Sequence, residues 1–309
     1  MAGQILEPGE IEAAAVNPDF ILLPGGELFG YRADRLRLLA AGNALGDYLL
    51  LMADLCAAQQ GVFDQLAPLP LDEARSAQSL KHGLPPLGYD TLVREGDWLP
   101  ALDALLDTFS VVQTAVQAPV QAALDELRAA ATGQRKAWAI ALLAGSYELV
   151  PAGVVPFLGA ALQLAWTHWL QRSDLSTLRE QGSQPLCPCC GAPPMAGVIH
   201  HLGKANGLRY LTCSLCACEW HFVRVKCSHC ETGKGLGYYS LGADDANAQQ
   251  APLRAETCAH CKTYLKHLYR DHDARSEPLS ADLASLALDV RLAEEGYQRH
   301  APNLLFAPG

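Results

Sequence analysis

Apolar residues recur at helical intervals through the first 180 positions and lose that rhythm afterwards. Over 31–66, Leu36, Leu39, Ala40, Leu50 and Leu51 are spaced as on one face of a helix. Gly42 and Gly46 predict a break there between two helices, because glycine is a poor residue for a helix interior. A loop marked by Pro68, Pro70, Pro85 and Pro86 follows, and helical patterning resumes over 98–131, 135–148 and 157–172. Alanine, with interleaved Leu, Val and Trp, reads as core packing rather than as a cofactor site, and Cys56 as a small buried apolar group of the same core.

Beyond 180 the character changes. Residues 181–270 concentrate Cys, His and Gly around short aromatic and β-branched runs, such as 220–225 and Tyr238–Tyr239, which fit short β-hairpins. In the last stretch Leu283, Leu286, Ala287, Val290 and Ala293 predict one face of a helix with Ser280 as N-cap and Gly296 at its close. The expected architecture is α+β: an all-helical domain over 1–180, a duplicated four-cysteine region over 181–270, and a C-terminal helix and tail over 271–309.

Residues 149–171 carry no charge, but Pro151, Pro156, Gln163 and His168 interrupt them. Spanning a bilayer takes ~20 predominantly apolar residues, so this segment predicts a buried core helix and no integral membrane segment. Residues 1–8 place acid where a signal peptide needs basic residues, so export is not expected. The net charge of −10 is uneven: residues 1–180 hold 11 Lys+Arg against 21 Asp+Glu, residues 181–270 hold 9 against 5, and residues 271–309 hold 3 against 7. The cysteine-rich region alone is basic, at +4. Eight thiolates around two divalent ions bring about four negative charges and cancel that excess, which argues against nucleic acid as the partner.

The chemistry is in the cysteines. Of eleven, eight stand in four C-x-x-C pairs: Cys187 and Cys190, Cys213 and Cys216, Cys227 and Cys230, Cys258 and Cys261. Two intervening residues let a tight turn aim both sulfurs at one ion, and two such turns complete a tetrahedral four-sulfur shell. Grouping in close pairs, in a long chain without a signal peptide, points to metal and a reducing cytoplasm rather than to disulfides. Leu208–Cys216 and Leu253–Cys261 both read L-R-x-x-T-C-x-x-C, so a duplicated module is the simplest account. That account joins the first two pairs at one ion and the last two at another; a cross-braced pairing of the first with the third is the alternative. Cys189 and Cys218 are left as spectators. His229 and His260 lie inside the turns, where four sulfurs leave them no ligand position, and His200, His201, His221, His267 and His272 read as surface or packing residues. The sequence has no G-x-S-x-G elbow, H-E-x-x-H, P-loop or dinucleotide fingerprint, and 233–237 reads as a hairpin turn, so an enzyme is not expected.

The order C-P-x-C-G at 187–191, then Arg209-Tyr210-Leu211 before Cys213 and Cys216, then Glu219-Trp220-His221 and the two later pairs, resembles the formate dehydrogenase accessory proteins of bacteria, the FdhE family. Ser280–Asp289, Glu295-Gly296-Tyr297 and Pro302-Asn303 look like that family's closing helix and loop, and Arg32, Arg35, Leu36, Leu39 and 48–50 fit its first helices. The resemblance implies a cytoplasmic maturation factor that binds the catalytic subunit of an exported respiratory formate dehydrogenase. It also implies iron in two rubredoxin-like sites, whereas cysteine spacing by itself fits zinc equally. Two other readings stand beside it: a rubredoxin-like redox or thiol-exchange protein, and a zinc-ribbon nucleic-acid binder.

Overall fold

The computed structural model describes residues 18–112, 117–180, 182, 184–241 and 250–307. The signal-peptide reading of residues 1–8 and the part of the predicted 98–131 helix at 113–116 lie outside them. The fold is α+β. A helical layer comprises α1 (Leu28–Ala40), α2 (Gly46–Phe63), α3 (Glu73–Lys81), α4 (Tyr89–Glu95), α5 (Leu99–Val112), α6 (Ala118–Ala129), α7 (Thr132–Leu143) and α8 (Val155–Arg172). The break between α1 and α2 falls where the glycines place it, with Gly42 at φ +74°.

Two helices, α3 and α4, occupy the stretch expected to be loop. Asp72 caps α3 by accepting from the Arg75 amide, but α3 buries no residue and α4 only Val93, so neither leaves an apolar period in the sequence. The uncharged segment 149–171 becomes α8, in which every residue from Val155 to Leu170 is buried. Its neighbours α2 and α5 therefore cover it as a lipid tail would, and no helix among the described residues is long and apolar enough to cross a membrane.

The sheet consists of β1 (Ile21–Leu22), β2 (Pro194–Ile199), β3 (Arg209–Cys213), β4 (Glu219–His221), β5 (Leu236–Tyr239), β6 (Leu253–Cys258) and β7 (Thr263–Tyr269), in the order β1-β4-β3-β2-β7-β6-β5, with β8 (Gln298–Arg299) alongside β7. Two antiparallel halves, β2-β3-β4 and β5-β6-β7, repeat one pattern: Thr212 pairs with Glu219 in the first as Thr257 pairs with Tyr264 in the second. They join through a parallel pairing of β2 with β7, Ala196 to Lys266 through Ile199 to Tyr269. At this joint the buried His267 lies over Gly197, where a Cβ would come within 2.6 Å of its ring.

The C-terminal helix is two helices, α9 (Pro278–Ala284) and α10 (Leu286–Glu294), broken at Ser285. The N-cap is Glu277, not Ser280: its carboxylate accepts from the Ser280 amide at 2.7 Å. The break rotates the second half, so Leu288 and Leu292 are buried while Ala287, Val290 and Ala293 are exposed. Glu277 also pairs with the buried Arg32 of α1 at 2.9 Å, and Arg35 with Asp273 at 2.6 Å. On the sheet side, Lys266 reaches Asp282 (3.0 Å) and Asp289 (2.5 Å), and Arg299 reaches both carboxylates. The tail beyond packs on α8, with Leu304 and Leu305 buried and the Tyr147 hydroxyl donating to the Asn303 carbonyl at 3.0 Å.

Two measurements test this packing. A Cβ at Gly159 would lie 1.7 Å from the Leu304 carbonyl oxygen, so Gly159→Ala should displace the tail and cost roughly 2–4 kcal/mol in denaturant unfolding. Burial, reinforced by Arg209, Arg224 and Arg254, holds the His267 imidazole well below its ordinary range. The folded chain then binds fewer protons than the unfolded one below about pH 6.5, so stability present above that pH is lost as pH falls, by up to ~1.4 kcal/mol per pH unit for this group. Denaturation midpoints between neutral and mildly acidic pH should follow that slope, and His267→Met should flatten it.

Candidate metal centres

Each C-x-x-C pair sits on a tight turn, the second and fourth pairs directly at the ends of β3 and β6, and the four turns share one backbone feature. The residue after the second cysteine has positive φ in each: Gly191 (+79°), Ala217 (+58°), Glu231 (+62°) and Lys262 (+58°). Among the described residues the last three are the only non-glycine positions with positive φ. Holding a side chain there costs ~1–2 kcal/mol per residue, so something else must favour the turn. Amides directed at sulfur do so: Leu215 and Cys216 each donate to Cys213 Sγ at 3.4 Å, and His229 donates to Cys227 Sγ at 3.4 Å. Gly191, Glu231 and Lys262 close the turns by donating to the carbonyls of Cys187, Cys227 and Cys258.

The turns meet in the order of the duplicated module. Cys187, Cys190, Cys213 and Cys216 form one group and Cys227, Cys230, Cys258 and Cys261 another, the sulfurs of each lying within 4.8 Å of one another. Sulfur–sulfur distances are 3.6 Å (Cys187–Cys216) and 3.4 Å (Cys190–Cys213) in the first group, and 3.8 Å (Cys227–Cys261) and 3.7 Å (Cys230–Cys258) in the second. A tetrahedral ion bonded to sulfur at ~2.3 Å requires edges of ~3.8 Å, so both groups fit one. The cross-braced pairing is not formed.

Electrostatics make the same case. Burial drives the Cys190 and Cys216 thiols up, while hydrogen bonds from Cys189, Cys190, Cys213 and Cys216 overcome the same burial and hold Cys187 well below the ordinary thiol range. Four thiolates in so buried a pocket would need a cation to balance them. In the second group burial lifts Cys227 to about 12, but at Cys261 the Thr263 hydroxyl, 3.0 Å away, and the Thr263 amide outweigh burial and hold the thiol at about 7.

The two centres differ in surroundings. The first is fully buried against the helical layer, where the Leu87 and Tyr89 amides donate to the Cys189 and Cys190 carbonyls, each at 2.9 Å. From α8, Gln163 donates to the Ser214 carbonyl at 2.9 Å and Thr167 to that of Cys216 at 3.5 Å. The second centre leaves Cys230 and Cys261 partly exposed beside exposed His229, His260 and Lys262. Its local core is a cluster of four buried residues, Ala255, Tyr264, Leu288 and Leu292.

No histidine belongs to either group. His200 meets Glu219 at 2.8 Å, His272 packs against Tyr269, and His229 stacks edge-on against His300. Cys56 is a buried thiol of α2 that burial pushes up to about 12. The hairpin turn expected over 233–237 is not formed: Gly233 to Gly235 bend into β5, which begins at Leu236 and pairs with β6 rather than with the preceding strand β4. Sequence reasoning missed the anchoring groups, Leu87 and Tyr89 through their backbone and Gln163 and Thr167 on α8; no residue pattern announces a backbone amide as a partner. It also left Cys189 and Cys218 apart, whereas their sulfurs lie 3.5 Å from each other.

Family models cover nearly all of the chain: "FdhE, N-terminal" matches residues 17–183, "FdhE, central domain" residues 186–224, and "FdhE, C-terminal domain" residues 225–306. The chain is 58% identical over 310 residues to the FdhE homolog of Stutzerimonas stutzeri, spanning 100% of this chain and 99% of that protein. It is 40% identical over 285 residues to protein FdhE of Escherichia coli K12, spanning 91% and 89%. The crystal structure of the FdhE protein from Pseudomonas aeruginosa superposes with a TM-score of 0.87 at 55% identity, covering 94% of this chain and 100% of that one.

The difference in burial should separate the centres chemically. Under a soluble chelator, one equivalent of metal should leave the folded chain well before the other, and Cys258→Ser should eliminate the fast phase. Loss of both equivalents in a single phase would contradict the asymmetry.

Proposed function

Because the chain belongs to the FdhE family, we propose that it is a cytoplasmic, non-enzymatic accessory protein that binds the catalytic subunit of an exported respiratory formate dehydrogenase and assists its maturation. The observation that carries this reading is the pair of four-sulfur shells. A catalytic metal keeps a coordination position open for water or substrate, whereas a shell of four sulfurs is closed and serves structure. The ligands assigned are Cys187, Cys190, Cys213 and Cys216 at one ion and Cys227, Cys230, Cys258 and Cys261 at the other. The metal in both mononuclear sites is iron, on the family resemblance, with zinc the alternative that the same geometry accepts.

The division of labour follows from the energetics. Ala255 and Tyr264 of the second half-sheet pack with Leu288 and Leu292 of α10 in a small core apart from the main one, so metal binding there supplies folding free energy and the sheet then offers a fixed surface to the partner. The domain boundaries proposed are 1–180, 181–270 and 271–309. A second reading, electron or thiol exchange with the partner, is favoured by the partial exposure of Cys230 and Cys261, which brings the second centre within reach of another protein. Nucleic acid is not proposed, because the thiolates absorb the basic excess of this region.

Replacing Cys213 and Cys216 together by Ser should remove one of two metal equivalents and abolish capture of the purified catalytic subunit by immobilised full-length chain. Retention of both metal content and capture would refute the ligand assignment and the role built on it.

A further inference from the structure

Two of the cysteines that the four-sulfur shells do not use are brought together by the fold. Cys189 lies inside the first turn and Cys218 two residues past the second, and both are completely buried. Their sulfurs are 3.5 Å apart, and with Cys187 they form a third group whose sulfurs all lie within 4.8 Å of one another. Cys187 therefore belongs to two sulfur groups at once. Six buried sulfurs from residues 187–190 and 213–218 thus fall into two groups joined at Cys187, and the Glu219 carbonyl oxygen stands 3.6 Å from Cys218 Sγ.

We propose that this pocket takes a second soft or borderline divalent ion of the zinc or cadmium class, held by Cys189 and Cys218 and sharing the Cys187 sulfur with the ion of the first shell. Spare buried thiols would ordinarily be inert packing groups, and their spacing, the charge balance and the route of access set this pair apart. Cys189 and Cys218, 3.5 Å apart and each within 4.8 Å of Cys187, come close to the ~3.8 Å edge of a thiolate shell around an ion of ~2.3 Å bond length. Thiolate is also the donor type that selects such ions.

Charge balance is the second consideration. One divalent ion among four thiolates leaves a net charge of about −2 in the pocket; binding a second divalent ion expels the protons of the Cys189 and Cys218 thiols, and six thiolates around two ions again leave about −2. The step is M²⁺ plus two thiols giving a dithiolate complex and two protons released to water. No oxidant enters it, and no additional charge is buried. Access is the third: both sulfurs are sealed in the finished fold, but metal loading coupled to folding admits the ion before the pocket closes.

The inference rests on the first shell being a metal centre, and the test separates the two ideas. Full-length chain refolded with excess zinc or cadmium and counted by native mass spectrometry should carry three ions, while Cys189→Ala/Cys218→Ala and the milder Cys218→Ser should carry two. Saturation of the wild type at two ions overturns the extra site and leaves both four-sulfur shells standing; fewer than two overturns the shells as well. A third ion retained by the double variant also overturns the proposal. Cadmium NMR of the wild type, which needs no variant to fold, should give three resonances, two of them coupled through the shared sulfur. Two uncoupled resonances would refute it.

Discussion

Four thiolates share a buried pocket only if a cation shares it with them, and much of the molecule's backbone is committed to meeting that condition. Three non-glycine residues adopt a conformation that side chains disfavour, amides are turned toward sulfur rather than toward carbonyl oxygen, and the helical layer supplies donors to the carbonyls the turns leave behind. Removing the cation would leave those distortions without compensation. Ion binding at these shells would make metal and fold one equilibrium.

Much of this was legible in the residues. The four cysteine pairs, their partnering through the repeated L-R-x-x-T-C-x-x-C, the fully buried α8 and the break at Gly42 all follow from pattern and spacing. Two helices escaped because α3 and α4 are short, stand between the prolines of this stretch and bury almost nothing. The C-terminal helix was located correctly but capped and faced wrongly. Glu277, three residues before Ser280, has a carboxylate long enough to cap, and the break at Ser285 turns Leu288 and Leu292 inward. Least visible was the merging of two modules into one sheet, since a parallel pairing between β2 and β7 leaves no local mark in either strand.

The duplicated modules have unequal surroundings. The first half-sheet joins the main core through Leu211 and Trp220 and has its turns anchored by α8 and the Leu87–Tyr89 segment. The second leaves two of its sulfurs partly exposed and is secured from behind by Lys266 and Arg299 with the carboxylates of the buried Asp282 and the half-buried Asp289. One copy is consolidated into the body of the protein and the other is left accessible. Such divergence is open to a repeat whose copies no longer have to stand alone.

The joint between the halves also constrains the order of synthesis. Strand β2 emerges from the ribosome some seventy residues before its parallel neighbour β7, and the Leu304 carbonyl that rests against Gly159 follows later still. A nascent chain therefore carries an unpaired β2 edge, and an α8 surface not yet covered by the tail, until translation is nearly complete. The first cysteine turns can therefore form well before the last strand, and the growing polypeptide reaches its finished surface only when its final residues have arrived.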